Sequence, residues 1–456
     1  MSRRGWASLL RASSALGLLV IASAQANAGG FAVREQSTYG QGTSFAGIAA
    51  GGALSSMFWN PATMTQVPGI QSENGVTGIF PFASNTPLAG SFLAGPPFNF
   101  GGTNNTGEAG LVPSGYTSYQ LTPDLWLGVS INAPFGLSTN FPDVWAGRPY
   151  AGSTTLKTYN AAPSFAYRFN DWISVGAGVQ IQYASADLRF GLGPTPGSDL
   201  NIDAHGWGFG ATAGVTLTPT PTTSIGLGWR SGVNQKANGT LTLSAGVPAV
   251  PGFATTLGAV NTTIKGPDTV SLGIRQRLDP RWTVMGTVEW SNWSRIGTVT
   301  FSQPSGAPAT VLGVPVALPL QYRDGWFFSL GAEYMWSERL TLRTGVAYEI
   351  SPISDRVRMP LIPDNNRIWA SVGASWQVSK FMHFDLAYSH IWVQDPSINI
   401  TAASGNPWFN PGIPALGIPA LPYVGDVSAH VDVLSAALVV RFDVLEPDAR
   451  RPFLKY

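Results

Sequence analysis

The chain has 456 residues, of which 11% are charged, and its formal net charge at pH 7 is +1. A soluble domain typically carries about 25% charged residues, so this composition disfavours a protein whose whole surface faces water. The small net charge gives no reason to expect nucleic acid as a partner. The absence of cysteine excludes disulfides, thiolate metal sites and cysteine nucleophiles.

The first 28 residues have the features of a secretory signal peptide. Arg3, Arg4 and Arg11 form a basic start, an apolar run follows over residues 15–24, and Ala26-Asn27-Ala28 is a small-x-small cleavage site. The apolar run has about half of the ~20 residues that a membrane-spanning helix needs. We therefore predict a signal peptide over residues 1–28, cleavage after Ala28, and export.

Residues 29–72 show no alternation of apolar and polar residues and are rich in Gly, Ala, Ser and Thr. If the rest of the chain closes into a barrel, the lumen is the economical place for such a segment. We predict that residues 29–72 form a plug, or hatch, inside the barrel.

Residues 73–442 follow a period of two, which is typical of strands with two different faces. One clear example is 173–183, where Ile, Val, Ala and Tyr alternate with Ser, Gly and Gln. Strands with one apolar face and one polar or glycine face fit a barrel that has lipid outside and a lumen inside.

The connections between these strands alternate in length. Six short turns lie near residues 122–124, 170–171, 218–222, 279–280, 337–338 and 379–380. Seven long loops lie near residues 83–110, 136–154, 190–205, 237–263, 302–321, 351–365 and 395–426. A β-sandwich or propeller has no reason for this regularity, whereas transmembrane barrels have short periplasmic turns and long outer loops. The sequence predicts an all-β protein, a 14-stranded antiparallel transmembrane β-barrel with an N-terminal hatch.

Two further features fit this architecture. Aromatic residues near strand ends are expected at the headgroup level as girdles; they are Trp282, Trp290, Trp293, Trp326 and Trp336. The last strand is predicted from about Val427 to Phe442, and residues 443–456 are predicted to be a periplasmic tail.

Three of the loop regions are strongly apolar: residues 80–100, 307–320 and 408–424. Large apolar patches usually mark interaction sites, which favours capture of a hydrophobic ligand. The alternative is that the loops pack on one another or on the acyl chains of lipopolysaccharide.

Catalysis finds little support. The chain has four histidines and lacks a Gly-x-Ser-x-Gly elbow, a His-Glu-x-x-His motif and a phosphate-binding loop. We predict no catalytic residue, no metal and no cofactor.

Short motifs resemble those of the FadL/TodX family of outer-membrane transporters for long-chain fatty acids and other hydrophobic compounds. Each is short, but their order and spacing together are specific, and they extend over nearly the whole mature chain. The motifs are Gly29-Gly30-Phe31, Gly40-Gln41-Gly42, Asn60-Pro61-Ala62, Ala133-Pro134-Phe135-Gly136-Leu137, Trp207-Gly208-Phe209-Gly210, Trp229-Arg230-Ser231, Leu340-Thr341-Leu342-Arg343-Thr344-Gly345 and Ile362-Pro363-Asp364.

The resemblance implies a route for the substrate. It enters from the outer loops, reaches a pocket in the barrel and leaves sideways through a gap that a kink in one strand makes in the wall. The resemblance also implies that Asn60, Pro61 and Ala62 lie in the hatch, against that kink. Phe31 matches an aromatic residue that reaches the pocket, and Arg189 aligns with a cation that meets the substrate carboxylate.

The chain departs from the family's pattern at one position. Where well-studied members carry a lysine, this chain has Leu318, and Arg323 is the nearest cation. The missing charge leaves a neutral substrate, such as an aromatic hydrocarbon, as an alternative to a carboxylate.

We therefore expect a protein of the Gram-negative outer membrane that takes up hydrophobic molecules passively, with long-chain fatty acids as the first candidate. A structural or adhesive barrel is a further alternative. The expected partners are hydrophobic small molecules, together with the membrane lipid and lipopolysaccharide around the barrel. We expect a monomer that is not an enzyme.

Overall fold

A computed structural model describes residues 29–244, 256–311, 313–412 and 419–442. The predicted signal peptide (1–28) and the predicted tail (443–456) lie outside these ranges, as do Leu312 and residues 413–418 of two apolar loops. None of the helices in the described ranges is long and apolar enough to cross a membrane.

Fourteen strands form an antiparallel barrel in the described part of the chain, which confirms the predicted fold class. Each strand pairs with its neighbour in the sequence, and the first pairs with the last from Gln71↔Arg441 to Pro87↔Gly425, which closes the sheet. The strands are β1 (Ile70–Pro87), β2 (Gly110–Thr122), β3 (Leu125–Asn132 and Gly136–Asn140), β4 (Ser153–Arg168), β5 (Ile173–Gly191), β6 (Asp199–Thr220), β7 (Thr223–Arg230 and Asn234–Leu243), β8 (Thr256–Lys265 and Thr269–Arg277), β9 (Trp282–Ser291 and Thr298–Ser302), β10 (Ala317–Pro319 and Gly325–Ser337), β11 (Leu340–Ile350), β12 (Arg367–Ser379), β13 (Met382–Val393 and Ser397–Ile400) and β14 (Tyr423–Arg441).

The strand bounds differ from the predicted ones mainly at the ends. β1 begins at Ile70, before the predicted barrel start at 73, and β14 begins at Tyr423, four residues before Val427. The six short turns lie where they were predicted. Several long loops are shorter than predicted because strands such as β5 and β6 continue to Gly191 and from Asp199.

The period of two separates the faces of each strand. On β5, the even residues Ser174, Gln180 and Gln182 are buried inside the barrel, while Val179 and Ile181 are exposed on its outer wall. Since this wall faces lipid, an exposed apolar side chain here is at its preferred place.

The outer wall also carries most of the predicted girdle. Trp282, Trp326 and Trp336 are exposed at strand ends. Trp293 is an exception, and its assignment to the girdle was wrong: it is only 3% exposed. It lies in a 3-10 turn where β9 is interrupted, so the alternation of the strand does not govern its direction.

The N-terminal segment, residues 29–69, is buried almost throughout. It contains helix α1 (Thr38–Gln41) and the 3-10 turns Ile48–Ala50, Leu54–Phe58 and Pro61–Gln66. Three further 3-10 turns are Phe92–Ala94, Arg148–Tyr150 and Trp293–Ile296. Glycines on the inner wall allow the segment to approach: a Cβ on Gly226 or Gly345 would overlap the backbone of Ala49 or Thr43.

Candidate functional site

Strand β3 is interrupted at residues 133–135. It pairs with β4 on both sides of the break, at Asn132↔Asn160 and at Gly136↔Lys157. Three residues of β3 therefore face two of β4, as in a bulge. Pro134 contributes to the break, because proline has no N–H to donate to a neighbouring strand.

The N-terminal segment supplies hydrogen bonds at this break. The N–H of Val33 donates to Pro134 O at 2.9 Å, and the N–H of Gly136 donates to Phe31 O at 2.8 Å. The Gln36 amide donates to Ala133 O at 2.8 Å. The break is thus covered by a short strand-like pairing with residues 31–36.

The Thr158 hydroxyl of β4 also forms hydrogen bonds at the break. It accepts from Phe135 N at 2.9 Å and donates to Phe135 O at 2.7 Å. The two edges of the break are thus held by the N-terminal segment and by one side chain of β4.

An apolar cavity of about 870 Å³, measured with its open mouth, adjoins the break. Phe31, Phe135 and Thr158 belong to its lining, and no charged side chain does among the described residues. The other lining residues include Leu137, Thr154, Leu156, Gln182, Ala184, Ala186, Leu188, Phe190, Val233, Gln235, Ile264, Val299, Leu318, Leu320, Met359, Leu361, Ile362 and Trp408.

The apolar loops contribute to this cavity and also pack on one another. Leu318, Leu320 and Trp408 line the cavity. Val316 and Leu421 are nearly buried, and Phe409 packs against the same cluster. The two explanations for the apolar loops, ligand capture and mutual packing, are therefore compatible.

A second cavity of about 830 Å³ shares Phe135 and Val233 with the first. It is more polar, since Arg34, Arg230 and Glu289 line it. The Arg34 guanidinium is 2.8 Å from Glu289 and lies over the ring of Phe327. Cations thus occur in the second cavity, where they already have partners.

Phe31 belongs to the lining of the first cavity. That this cavity is the pocket implied by the resemblance stays a prediction. Its ring packs edge-to-face on Trp293, with centroids 4.8 Å apart, and on Phe135 at 6.0 Å. Two residues earlier, the N–H of Gly29 donates to Glu349, and the N–H of Gly30 donates to Asp364 Oδ2 at 3.0 Å. These bonds fix the start of the N-terminal segment beside the cavity.

Asn60, Pro61 and Ala62 lie in the N-terminal segment, but not against the break in β3. The Asn60 Oδ1 caps the turn by accepting from Ala62 N at 3.0 Å, and its Nδ2 donates to Ala49 O at 2.8 Å and Val215 O at 3.0 Å. Val215 is on β6, so the motif anchors the segment to a different part of the wall. Residues 31–36 occupy the break in β3, so the expected contact of the motif with a kink is not seen at this break and stays a prediction.

Arg189 lies outside the cavity. Its neighbours Leu188 and Phe190 line it, so Arg189, one position away in the strand, lies on the opposite face. Its guanidinium is 3.0 Å from Asp143 and 3.8 Å from Asp199. The expected role as the partner of a carboxylate in this pocket is therefore not supported. Arg323 does not line the cavity either, and its Nε donates to Ser351 O.

The alternation of strand faces in the sequence indicates the positions of two residues, Arg189 outside the cavity and Gln182 inside the barrel. The alternation that directs Ile173 and Ile181 outward also directs Arg189 outward, and it directs Gln182 inward. Trp293 had no such signal, since it lies in an interruption of the pattern.

A closed 14-stranded barrel with a buried N-terminal segment and an apolar cavity beside a broken strand defines a class of outer-membrane transport barrels. The family model described as "Outer membrane protein transport protein (OMPP1/FadL/TodX)" matches residues 19–442, and the chain belongs to this family. It is accordingly a protein of the Gram-negative outer membrane, and family members transport hydrophobic molecules.

The similar proteins agree with this assignment. The chain is 27% identical to the long-chain fatty acid transport protein of Escherichia coli K12 over 437 residues, which cover 85% of this chain and 93% of that protein. It is 26% identical to outer membrane protein P1 of Haemophilus influenzae, over 82% of this chain and 88% of that protein.

Two solved structures share the fold. A FadL homologue of Pseudomonas aeruginosa superposes with a TM-score of 0.76 at 22% identity, covering 91% of this chain and 100% of that one. The toluene transporter TodX of Pseudomonas putida superposes with a TM-score of 0.65 at 16% identity, with the same coverage.

Proposed function

We propose that this protein takes up hydrophobic molecules passively, by holding them in the apolar cavity and releasing them sideways into the membrane through the break in β3. The observation that carries this proposal is the position of the break: it adjoins the cavity and is closed by residues 31–36 and Thr158. The function requires neither catalysis nor a cofactor.

The hydrophobic effect supplies the driving force. Burial of apolar surface is favourable by about 25 cal/mol per Å², so the cavity draws an apolar molecule out of water. The hydrocarbon of the membrane is as apolar as the cavity, and a sideways exit therefore avoids returning the molecule to water.

In this proposal the N-terminal segment acts as the hatch. Its burial in the lumen and its hydrogen bonds to β6 through Asn60 support a plug that blocks a straight aqueous path. The segment also controls the side exit, since Phe31 and Val33 are bonded to the edges of the break.

Long-chain fatty acids are the first candidate substrate, because relatives such as the Escherichia coli protein are named for them. Neutral hydrophobic compounds are the second candidate, and one specific observation favours them: no charged side chain lines the cavity in the described ranges. An ionised carboxylate would enter such a site without a partner, which is costly.

A disulfide across the closed break tests the side exit. Ala32 and Phe135 lie opposite each other in an antiparallel bridge. The hydrogen bonds of this bridge join the residues before and after them, so Ala32 and Phe135 themselves are a non-hydrogen-bonded pair. Such pairs have Cα atoms about 4.5 Å apart, within the range for a disulfide. The natural chain has no cysteine, so the double variant Ala32→Cys/Phe135→Cys contains one defined pair.

We expect the oxidised double variant to lose uptake of radiolabelled oleate and of the neutral oleyl alcohol, whichever of the two the wild-type protein takes up, to the level of cells without the protein. Reduction should restore uptake, and the single variants Ala32→Cys and Phe135→Cys should transport under both conditions. Full uptake through a quantitatively cross-linked protein would show that the substrate leaves elsewhere.

A further inference from the structure

We propose that Gln182 and Gln235 form a binding subsite for an uncharged hydrogen-bonding group, so that the cavity selects neutral amphiphiles over both plain hydrocarbons and ionised carboxylates. The ligand class is an apolar molecule with one hydroxyl, ester, amide or protonated acid group. This inference rests on the proposed function, because it concerns the selectivity of the same cavity.

The two glutamines lie in one row across the inner wall. Gln182 of β5 is opposite Gly208 of β6, and the Oε1 of Gln235 is 2.8 Å from the place where a Cβ on Gly208 would lie. That Cβ would also lie 2.5 Å from Val233. The missing side chain at Gly208 therefore makes room for the amide of Gln235 beside Gln182.

Three of the four polar atoms of these amides are buried and have no hydrogen-bond partner among the described residues. Gln182 is 2% exposed and its Oε1 has no hydrogen bond, while Gln235 is 5% exposed and neither Oε1 nor Nε2 has one. Thr154, on the same cavity wall, also has a buried and unpartnered hydroxyl. Buried polar atoms are nearly always paired in native proteins. A ligand group that supplies the missing bonds explains why several unpaired atoms gather around one apolar cavity.

The residue type decides which ligand group fits. A carboxamide offers an acceptor and a donor without charge, so it matches a group that can both accept and donate, or either alone. A hydrocarbon would leave the amides unpaired. A carboxylate would need a cationic partner. None lines this cavity among the described residues. Arg34 and Arg230 line the second cavity instead. Residues 245–255 and 413–418 contain no charged residue in their sequence.

The row continues toward the break in β3. Gln182 pairs with Asn160 of β4, which pairs with Asn132, the last residue before the break. Both side-chain polar atoms of Asn160 and the Oδ1 of Asn132 are buried without a partner. Neighbouring strands are about 4.8 Å apart. A polar ligand group that leaves one amide of the row therefore has the next amide within a short distance and can form a new hydrogen bond there. The row therefore connects the cavity with the proposed exit.

The test compares three ligands with the same chain length: octane, 1-octanol, and octanoate at pH 8. Each displaces a fluorescent apolar probe, N-phenyl-1-naphthylamine, from the purified protein in detergent, and the double variant Gln182→Met/Gln235→Met is compared with wild type. Methionine has a similar length but lacks the amide. Gln394→Met, in an exposed connection, is the matched control.

We expect the double variant to bind 1-octanol about ten-fold more weakly and octane at least as tightly, which corresponds to a loss of about 1.4 kcal/mol for the alcohol alone. Octanoate should bind weakly to both proteins. Equal changes for octanol and octane would overturn the subsite, as would tight octanoate binding that depends on the glutamines. If wild-type protein bound none of the three ligands and no probe, the proposed function itself would fail.

A second measurement does not depend on a ligand. Replacing an unpaired buried amide by an apolar side chain removes a cost to the folded state. The empty double variant should therefore unfold at a higher temperature than wild type, while Gln394→Met should not change the unfolding temperature. A lower unfolding temperature of the folded double variant would show that the amides are structural, and it would overturn the inference.

Discussion

The backbone N–H of Gly29 donates a hydrogen bond of 3.1 Å to Oε1 of Glu349, a residue 320 positions away. Glu349 is 6% exposed, and its other carboxyl oxygen accepts from Trp369 at 3.3 Å. The predicted cleavage after Ala28 would make the Gly29 nitrogen a free ammonium group. Its bond to Glu349 would then be charge-assisted, and such bonds are stronger than those between neutral groups.

The first prediction concerns this contact. Glu349→Gln keeps an acceptor but removes the charge, so the N-terminal segment should open more often. Hydrogen bonds to charged groups contribute about 1.5–3 kcal/mol, and we expect at least a ten-fold loss of amide protection. Hydrogen exchange of the peptide that covers residues 29–36 measures it. Glu338→Gln, in an exposed turn, is the control; unchanged protection in Glu349→Gln would contradict the prediction.

The second prediction concerns the pair Phe31 and Trp293. Phe31→Ala removes an apolar wall of the cavity and the edge-to-face contact at 4.8 Å, so an apolar probe should bind about ten-fold more weakly. Because the rings contact each other, the effects of Phe31→Ala and Trp293→Ala should differ from additivity by about 1 kcal/mol. Probe titrations of the four proteins of this cycle test it. Trp336→Ala, on the outer wall, should bind normally; strict additivity would argue against a functional pair.

The third prediction concerns the anchoring of the N-terminal segment at Asn60. Gly214→Ala should displace Asn60, because a Cβ on Gly214 would overlap its Oδ1. Asn60→Ala removes the bonds to Ala49 and Val215, and the loss of buried bonds should destabilise the segment by about 2–4 kcal/mol. Both variants should raise the ion conductance of the protein in planar bilayers.

The matched control is Gly286→Ala. A Cβ there would have no neighbour closer than 3.5 Å, so the conductance should stay at the wild-type level. A low conductance in both Asn60→Ala and Gly214→Ala would mean that the motif is not needed to keep the lumen closed.

The fourth prediction concerns pH. Glu35 lies in the N-terminal segment and is 2% exposed. Burial raises its pKa from 4.5 to about 7. The folded protein therefore retains a proton that the unfolded chain has already lost between these two values. The stabilisation that this proton provides is present below about pH 4.5 and is lost as the pH rises to about 7.

Glu35→Gln should remove this dependence. Relative to wild type, the variant should gain stability between about pH 5 and about pH 8, by an amount on the order of 3 kcal/mol at most. Thermal unfolding in detergent at the two pH values measures the difference. A difference between wild type and variant that stays constant with pH would contradict a raised pKa for Glu35.

Much of the fold could be predicted because successive residues of a barrel strand face lipid and lumen in turn, which gives the sequence a period of two. Each lipid-facing residue is followed by one that faces the lumen, so Val179 and Gln180 differ in the sequence as they do in the structure. The turns between strands were predicted from local chemistry, and they lie where expected. The same alternation directs Arg189 away from the cavity that its neighbours Leu188 and Phe190 line.

Less of the candidate site could be predicted. Phe31 lies at the cavity, but the residues it contacts, Trp293 and Phe135, come from an interrupted strand and from a break. Neither interruption has a period, so neighbouring residues do not indicate the direction of these side chains. The position of Asn60 on β6 rather than at the break also depends on how the N-terminal segment folds in the lumen.

The sequence by itself therefore determined the barrel, its strand number and its apolar loops, because alternation and turn chemistry are local properties. Only the tertiary structure decided which parts of the chain meet beside the break in β3. The bond from Gly29 to Glu349 and the row from Gln235 to Asn132 depend on register between strands and on the path of the N-terminal segment, which has no sequence repeat. These relations join residues far apart in the chain, where local patterns carry no information.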